Sequence, residues 1–237
     1  MTKLFNAMKP VFDFIRSSPA FLSTTRPTTT TIKTRLHAQG TSGAQGTGNQ
    51  VTDQEASFAE VLEQHNFIWV PKGEPMPTTD SFYYFYQVNG TQQSIDFQVF
   101  QISDGVKSAH INLDLKHTLS DVFFLNDGWF HDDVVYIVSW QRKISAPRKR
   151  LILEPATFIG LGATIPTAEE CAHMTALQEI KAKLNTDQKG VGSLFTYVRF
   201  ANRYSCARFT PEYTDAAYAS VSSSLSASAA NDGSSSV

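Results

Sequence analysis

Within KSAHINLDLK, residues 107–116, apolar and polar positions alternate without a break from Ala109 to Lys116. Ala109, Ile111, Leu113 and Leu115 take one face, and His110, Asn112, Asp114 and Lys116 the other. That two-residue period predicts a strand with its aliphatic face inward and its polar row in solvent. Similar segments surround it: IWV (68–70) up to Pro71, FYYFYQV (82–88), QSIDFQVFQI (93–102), VFFL (122–125), VVYIVSWQ (134–141), LILE (151–154), TFIGL (157–161) and LFTYVRF (194–200). Asn89-Gly90 is the pair favoured in two-residue hairpin turns. Ser103-Asp104-Gly105 and Asn126-Asp127-Gly128 read as further turns. Ile95, Phe97 and Val99 share a face, but Phe100 and Ile102 change the phase, which predicts a bulge.

A helical rhythm takes over in two places. Thr52 and Glu55 have capping-box spacing before Phe58, Val61, Leu62 and His65, and Thr167 and Glu170 repeat the signal before Met174, Leu177, Ile180 and Leu184. Glu179 and Lys183 add a favourable i,i+4 pair to the second helix. Leu4, Phe5, Met8, Phe12 and Ile15 also recur at helical spacing, with Pro10 interrupting. Residues 17–52 are rich in Ser, Thr, Gly and Gln, and 214–237 in Ser and Ala. Neither offers much apolar surface against the entropy of ordering, so both are expected to be disordered. The organisation that follows is a basic arm or transit peptide (1–52), a β-rich globular domain (53–213) and a polar tail (214–237). The fold class is mainly β: a single-domain sandwich, jelly-roll-like, or a barrel, with a short N-terminal helix and one late helix.

Composition adds little to this, and charge adds more. The 25 Phe and Tyr residues favour strands. No apolar run approaches the ~20 residues of a membrane span, and no apolar core of a secretory signal is present. Asn89-Gly90-Thr91 is a glycosylation sequon by pattern and a turn by context. Cys171 and Cys206 are too few for a disulfide scaffold or metal knuckle, and both read as reduced and buried. The net charge of -2 conceals an asymmetry. Residues 1–50 carry Lys3, Lys9, Arg16, Arg26, Lys33 and Arg35 against Asp13 alone, and QRKISAPRKR (141–150) carries Arg142, Lys143, Arg148, Lys149 and Arg150 with no acid. The remainder is strongly acidic.

Catalytic chemistry finds little support. Trp129-Phe130-His131-Asp132-Asp133, with His110 and Asp114 on a neighbouring strand, has residue types suited to a metal or to acid–base work, but one triplet does not make converging ligands. There is no GxSxG nucleophile motif, and Cys171 and His173 are too close in a helix to face each other. Gly160-Leu161-Gly162 lacks the third glycine and the Lys-Ser/Thr of a phosphate loop. No metal, cofactor or catalytic set is expected, and the protein reads as a non-enzyme.

The two cationic segments carry the functional expectation. Like charges in one loop favour an anionic partner, either the protein's own acids or a polyanion. Arg142, Lys143, Arg148, Lys149 and Arg150 of the loop, with Arg26, Lys33 and Arg35 of the arm, suit phosphate contacts. Aromatic residues do not interleave with them, so base readout is not expected. A basic arm, one β-rich domain and a polar tail resemble the layout of small viral coat proteins of the single jelly-roll type, although the arm is less Arg-dense than theirs. The resemblance implies self-association, non-specific nucleic-acid contact, and a location in a virion or host cytoplasm. The alternative takes residues 1–40, basic, acid-poor and Ser/Thr-rich, as a mitochondrial or plastid transit peptide processed near Arg35-Leu36-His37-Ala38. The mature protein would then be a small β-rich ligand-binding or assembly-factor protein.

Overall fold

The computed structural model describes residues 2–40, 51–87, 95–126, 129–146, 150–187 and 202–231. Three helices come first: α1 (Thr2–Ser17), α2 (Pro27–Gly40) and α3 (Asp53–Gln64). Seven strands follow, β1 (Ile68–Trp69), β2 (Ser81–Tyr86), β3 (Phe97–Ser103), β4 (Val106–Thr118), β5 (Val122–Asn126), β6 (Val134–Ala146) and β7 (Arg150–Leu161). After them come α4 (Ala168–Asp187), β8 (Asn202–Ser205) and α5 (Pro211–Asn231). A six-stranded mixed sheet has the order β1-β2-β3-β4-β6-β7, and β5 pairs with β8 in a second, two-stranded sheet. The pairs β1–β2 and β4–β6 are parallel. The sheet-rich core, the helix at its N-terminal side and the late helix thus agree with the sequence reading.

The alternation in β4 works as expected on its apolar side. Ala109, Ile111, Leu113 and Leu115 join Tyr84, Phe97, Val99, Val135, Ile137 and Ile159 in one core face of the large sheet. Helices cover that face. Leu4, Phe5, Met8, Val11, Phe12 and Ile15 of α1 are all buried in it, beside Phe58, Val61 and Leu62 of α3. Pro10 lies inside α1 on its exposed side. Its cost of about 3 kcal/mol is outweighed by six buried apolar side chains at about 1.5–3 kcal/mol each for the larger ones. On the opposite sheet face, Phe123 and Tyr204 of the small sheet pack with Phe130 and Phe209 against Val134, Tyr136, Val138, Trp140 and Phe158. A smaller cluster of Val70, Tyr83, Phe100 and Ile102 fills the β1–β3 end.

Local signals are placed closely. Thr52 caps α3 in a full capping box with Glu55, and the Thr167–Glu170 box opens α4 with both reciprocal hydrogen bonds, 2.7 and 3.1 Å. Asp104 and Gly105 both take positive φ, 54° and 72°, in the β3–β4 turn, and the expected bulge falls between Gln101 and Ile102. Gly162 is needed for close approach rather than for phosphate, since a Cβ there would lie 2.0 Å from the His131 carbonyl oxygen. Asn89-Gly90 and LFTYVRF (194–200) lie outside the described residues.

Several expectations change. Residues 17–40, expected to lack regular structure, form a 3-10 turn (Pro19–Ser23) and α2, with Leu22, Ile32 and Leu36 buried in the main core. The tail forms α5 through Asn231. Tyr218 and Val221, with the partly buried Leu225, give it an apolar edge that composition alone hides. The two ends of the described chain meet there: Tyr218 Oη donates to Asp13 at 2.9 Å, and Arg16 pairs with Asp215 at 2.5 Å. LILE and TFIGL are one strand, β7, which tolerates Pro155 because it is a sheet edge. Asn112 and Asp114 are buried rather than solvated. Cys171 is exposed, and only Cys206 is buried. Among the described residues no helix is long and apolar enough to cross a membrane.

Because α1 is core rather than appendage, Phe12→Ala should cost about 3–5 kcal/mol, read as a lower midpoint in urea unfolding. An unchanged midpoint would show that α1 does not contribute to the cooperative core.

Candidate nucleic-acid interface and a buried carboxyl cluster

The cationic stretch is largely strand. β4 stops pairing with β6 at Thr118–Trp140, and beyond it residues 141–146 pair only with 150–155. These six pairs continue the β6–β7 hairpin for about 20 Å at ~3.4 Å per residue. Arg142 meets Glu154 across the ladder at 2.7 Å, and Lys143 reaches Asp121 at 2.7 Å. All four side chains keep 42–48% of their surface exposed. Ile152 and Leu153 are exposed beside them. Arg148 and Lys149 lie outside the described residues, and Arg150 is described only by its backbone pairing with Ala146.

The arm cations are bound differently. Arg26 donates through Nε and Nη2 to Glu60 Oε2 at 3.2 and 2.8 Å, and through Nη1 to the carbonyls of Phe21 and Thr24 at 2.9 Å each. Its guanidinium also lies 3.6 Å over the Phe21 ring. Glu60 is only 8% exposed and accepts a third bond from Thr29 Oγ1. Lys33 pairs with Asp53 at 2.9 Å. Hydrogen bonds from Lys33 and Thr25 hold the Asp53 carboxyl below the usual carboxylate range. Arg35 pairs with Glu63 and stacks over Trp69. The sequence-predicted set therefore splits in two: Arg26, Lys33 and Arg35 sit between α2 and α3, and Arg142 and Lys143 lie out on the hairpin.

The catalytic candidates do not converge. His131, Asp132 and Asp133 are exposed at the entrance to β6, with the His131 N–H donating to Tyr136 Oη at 3.0 Å. Asp133 accepts from Asn112 at 3.1 Å. Burial of the His110 ring lowers its pKa. Burial, with the Asp121 charge in support, pushes the Cys206 thiol up to about 12, so it carries little thiolate at neutral pH. Among the described residues no group of three or more His, Cys, Asp or Glu is arranged to hold a metal.

A buried carboxyl cluster was not legible as such. Asp96 closes the β2–β3 connection, accepting from the Gln87 N–H at 2.7 Å through its backbone carbonyl. β3 starts only at Phe97, opposite Leu113, so β4 runs on past it. The Asp96 side chain takes the Leu115 N–H there at 2.8 Å. Asp114 is next to it, fully buried, with Lys116 Nζ on Oδ1 at 2.7 Å. Glu55 of α3 lies nearby, held by the Thr52 N–H at 2.6 Å and Tyr86 Oη at 3.0 Å. Desolvation raises all three carboxyls, most plainly Asp96, which the Asp114 charge pushes further to about 8. Lys116 Nζ on Asp114 opposes the rise there, so Asp96 is the member of the pair pushed further toward its protonated form. In sequence, Asp96 is one acid inside an apolar run, and nothing in the run itself marks it as buried.

No family model, no curated protein and no solved structure matches this chain.

The Asp96 proton has a pH signature. The unfolded chain releases it in the ordinary carboxylate range, about pH 4, and the folded chain holds it to about pH 8. Stability from this group is therefore complete below pH 4 and declines as pH rises through that window. Asp96→Asn keeps an acceptor for Leu115 N–H and a permanent donor toward Asp114. Calorimetry should show the variant melting above wild type at pH 7–8, with the difference closing toward pH 4. A variant less stable than wild type at pH 8 would overturn the assignment.

Proposed function

We propose that this is a non-enzymatic structural or assembly protein that self-associates and touches nucleic-acid phosphates, without sequence preference, through the end of its β6–β7 hairpin. The observation that carries the reading is the contrast between the two cationic groups. Exposed ion pairs such as Arg142–Glu154 and Lys143–Asp121 are worth about 0–1 kcal/mol. A phosphate can replace such a carboxylate at little cost. Arg26 cannot be released so cheaply, because Glu60 would be left buried without its partner. Arg26 thus serves packing, Lys33–Asp53 is nearly as exposed as the hairpin pairs, and the hairpin keeps its cations available. The burial of α1 in the main core also favours a retained N-terminus over a transit peptide cut near residue 36.

Binding to single-stranded RNA, titrated at several salt concentrations, tests this. Each lost phosphate contact flattens the log–log slope by about 0.7 units. Arg148→Gln, Lys149→Gln and Arg150→Gln together should remove roughly two units while the protein stays folded. Lys33→Gln with Arg35→Gln should leave the slope unchanged and lower Tm. Equal slopes for wild type and the hairpin variant would show that the hairpin does not meet nucleic acid.

A further inference from the structure

Strand β7 is an outer strand of the large sheet, and the edge of its N-terminal half is bare. Ile152, Leu153 and Glu154 are exposed in succession, the first two at 40% and 54%. Successive strand residues point to opposite faces, so both faces of β7 stand in solvent there. Among the described residues the backbone from 151 to 156 makes no hydrogen bond beyond the β6 ladder. Edge strands carry unpaired N–H and C=O groups and are ordinarily blunted by proline, charge or a covering element. Here Pro155 blunts one end only. The proline also fixes which groups face out. The ladder with β6 runs without a register shift, so Pro155, with no N–H to give, belongs to the outward-facing set. Leu151 and Leu153 share its parity. Their N–H and C=O groups point away from β6, and those of Ile152 and Glu154 point toward it.

We propose that a second copy of the chain completes this edge, β7 against β7, antiparallel about a two-fold axis at Ile152. This rests on the self-association part of the proposed function and gives it a surface. With the axis at Ile152, Leu151 of each copy exchanges both main-chain bonds with Leu153 of the other. Ile152 meets Ile152, which extends the Ile144–Ile152 pair into one apolar row across both hairpins. By register, Arg150 of each copy falls opposite Glu154 of the other, on the face where Arg142 already reaches that carboxylate from β6. The neighbouring registers lose this match. An axis at Leu153 sets Ile152 against Glu154 and asks Pro155 for a donor it lacks. An axis at Leu151 sets Ile152 against Arg150. The paired stretch from 150 to 154 is about 17 Å long at ~3.4 Å per residue, and it falls short of the about 800 Å² per partner of a stable dimer. Main-chain bonds supply the affinity of an added strand, and the pair forms at high protein concentration, as suits a contact repeated in an assembly.

Disulfide trapping and sedimentation over a concentration series, both on the full chain, provide the test. Cys171→Ser first removes the exposed native thiol. In that background Ile152→Cys should give a covalent dimer on mild oxidation. Residues opposed at a non-hydrogen-bonded antiparallel site have Cα atoms about 4.5 Å apart, which is within disulfide reach. Leu153→Cys should not cross-link, because its opposite number is Leu151. Leu153→Pro removes an outward N–H and no ladder bond, so it should abolish the dimer and leave Tm nearly unchanged. A covalent dimer from Leu153→Cys and none from Ile152→Cys would overturn the register and the inference with it. Association that persists with Leu153→Pro would overturn this interface while leaving self-association standing. A large Tm loss in Leu153→Pro would show that this N–H serves β6, and would overturn the inference too. A wild type that stays monomeric at the highest concentration would leave the edge to another occupant and remove both the interface and self-association, with the RNA salt slope unaffected.

Discussion

Helix α3 is buried on nearly every side and is also acidic, and those two facts constrain its neighbours. Ala56, Phe58, Ala59, Val61 and Leu62 pack into the main core, while Glu55 and Glu60 are buried with them. A carboxylate cannot stay ionised in such a place without a cation or several hydrogen bonds. Glu60 finds Arg26 and Thr29, Glu63 finds Arg35 and Tyr84 Oη, and the half-exposed Asp53 finds Lys33 and Thr25. Five of these six partners, all but Tyr84, come from residues 25–35. The polar, Thr-rich segment before α3 therefore folds as its electrostatic complement, and its apolar residues Ile32 and Leu36 follow it into the core.

The charge asymmetry of the sequence takes on a different meaning in this light. A basic N-terminal segment beside an acidic remainder looks like two separate objects, one awaiting a polyanion. In the folded chain much of it is one object whose halves neutralise each other across the α2–α3 contact. The hairpin is the exception in degree. Its described cations are also paired, but across water-exposed ladders where attraction is screened and side-chain entropy offsets most of the gain. Pairing alone does not distinguish a structural cation from an available one. Burial of the carboxylate partner does.

The β elements were legible because their signals are local. Alternation placed β4, capping boxes placed α3 and α4, and Asp104-Gly105 placed a turn, each from residues within ten positions of one another. What escaped depended on distant partners. Composition alone made 17–40 look disordered, because a segment poor in apolar residues can still order when buried acids elsewhere require its cations. The Ser/Ala tail hid α5 because small residues dilute a stripe of Tyr218, Val221 and Leu225 below what a window of composition detects. The polar row of β4 was expected in solvent because period two separates the faces but does not say what covers the second one. Here that face also carries core, with Tyr136 opposite Asp114 in the parallel ladder.

The Asp96–Asp114 cluster follows from the same topology. β4 is longer than the strand beside it, so its backbone past Leu113 loses a ladder partner on the β3 side while staying inside the protein. A buried N–H left open costs about as much as any unsatisfied polar group. Phe97 and Tyr136 beside it are buried, and Asp96 is placed to accept from the Leu115 N–H as the chain turns into β3. A carboxyl there introduces charge close to Asp114 and Glu55, and protonation is the cheaper response than separation. The shifted acid in this fold is thus first the consequence of two strands of unequal length. That origin gives the strongly perturbed Asp96 carboxyl a cause in strand geometry, the Leu115 N–H left open beyond the end of β3.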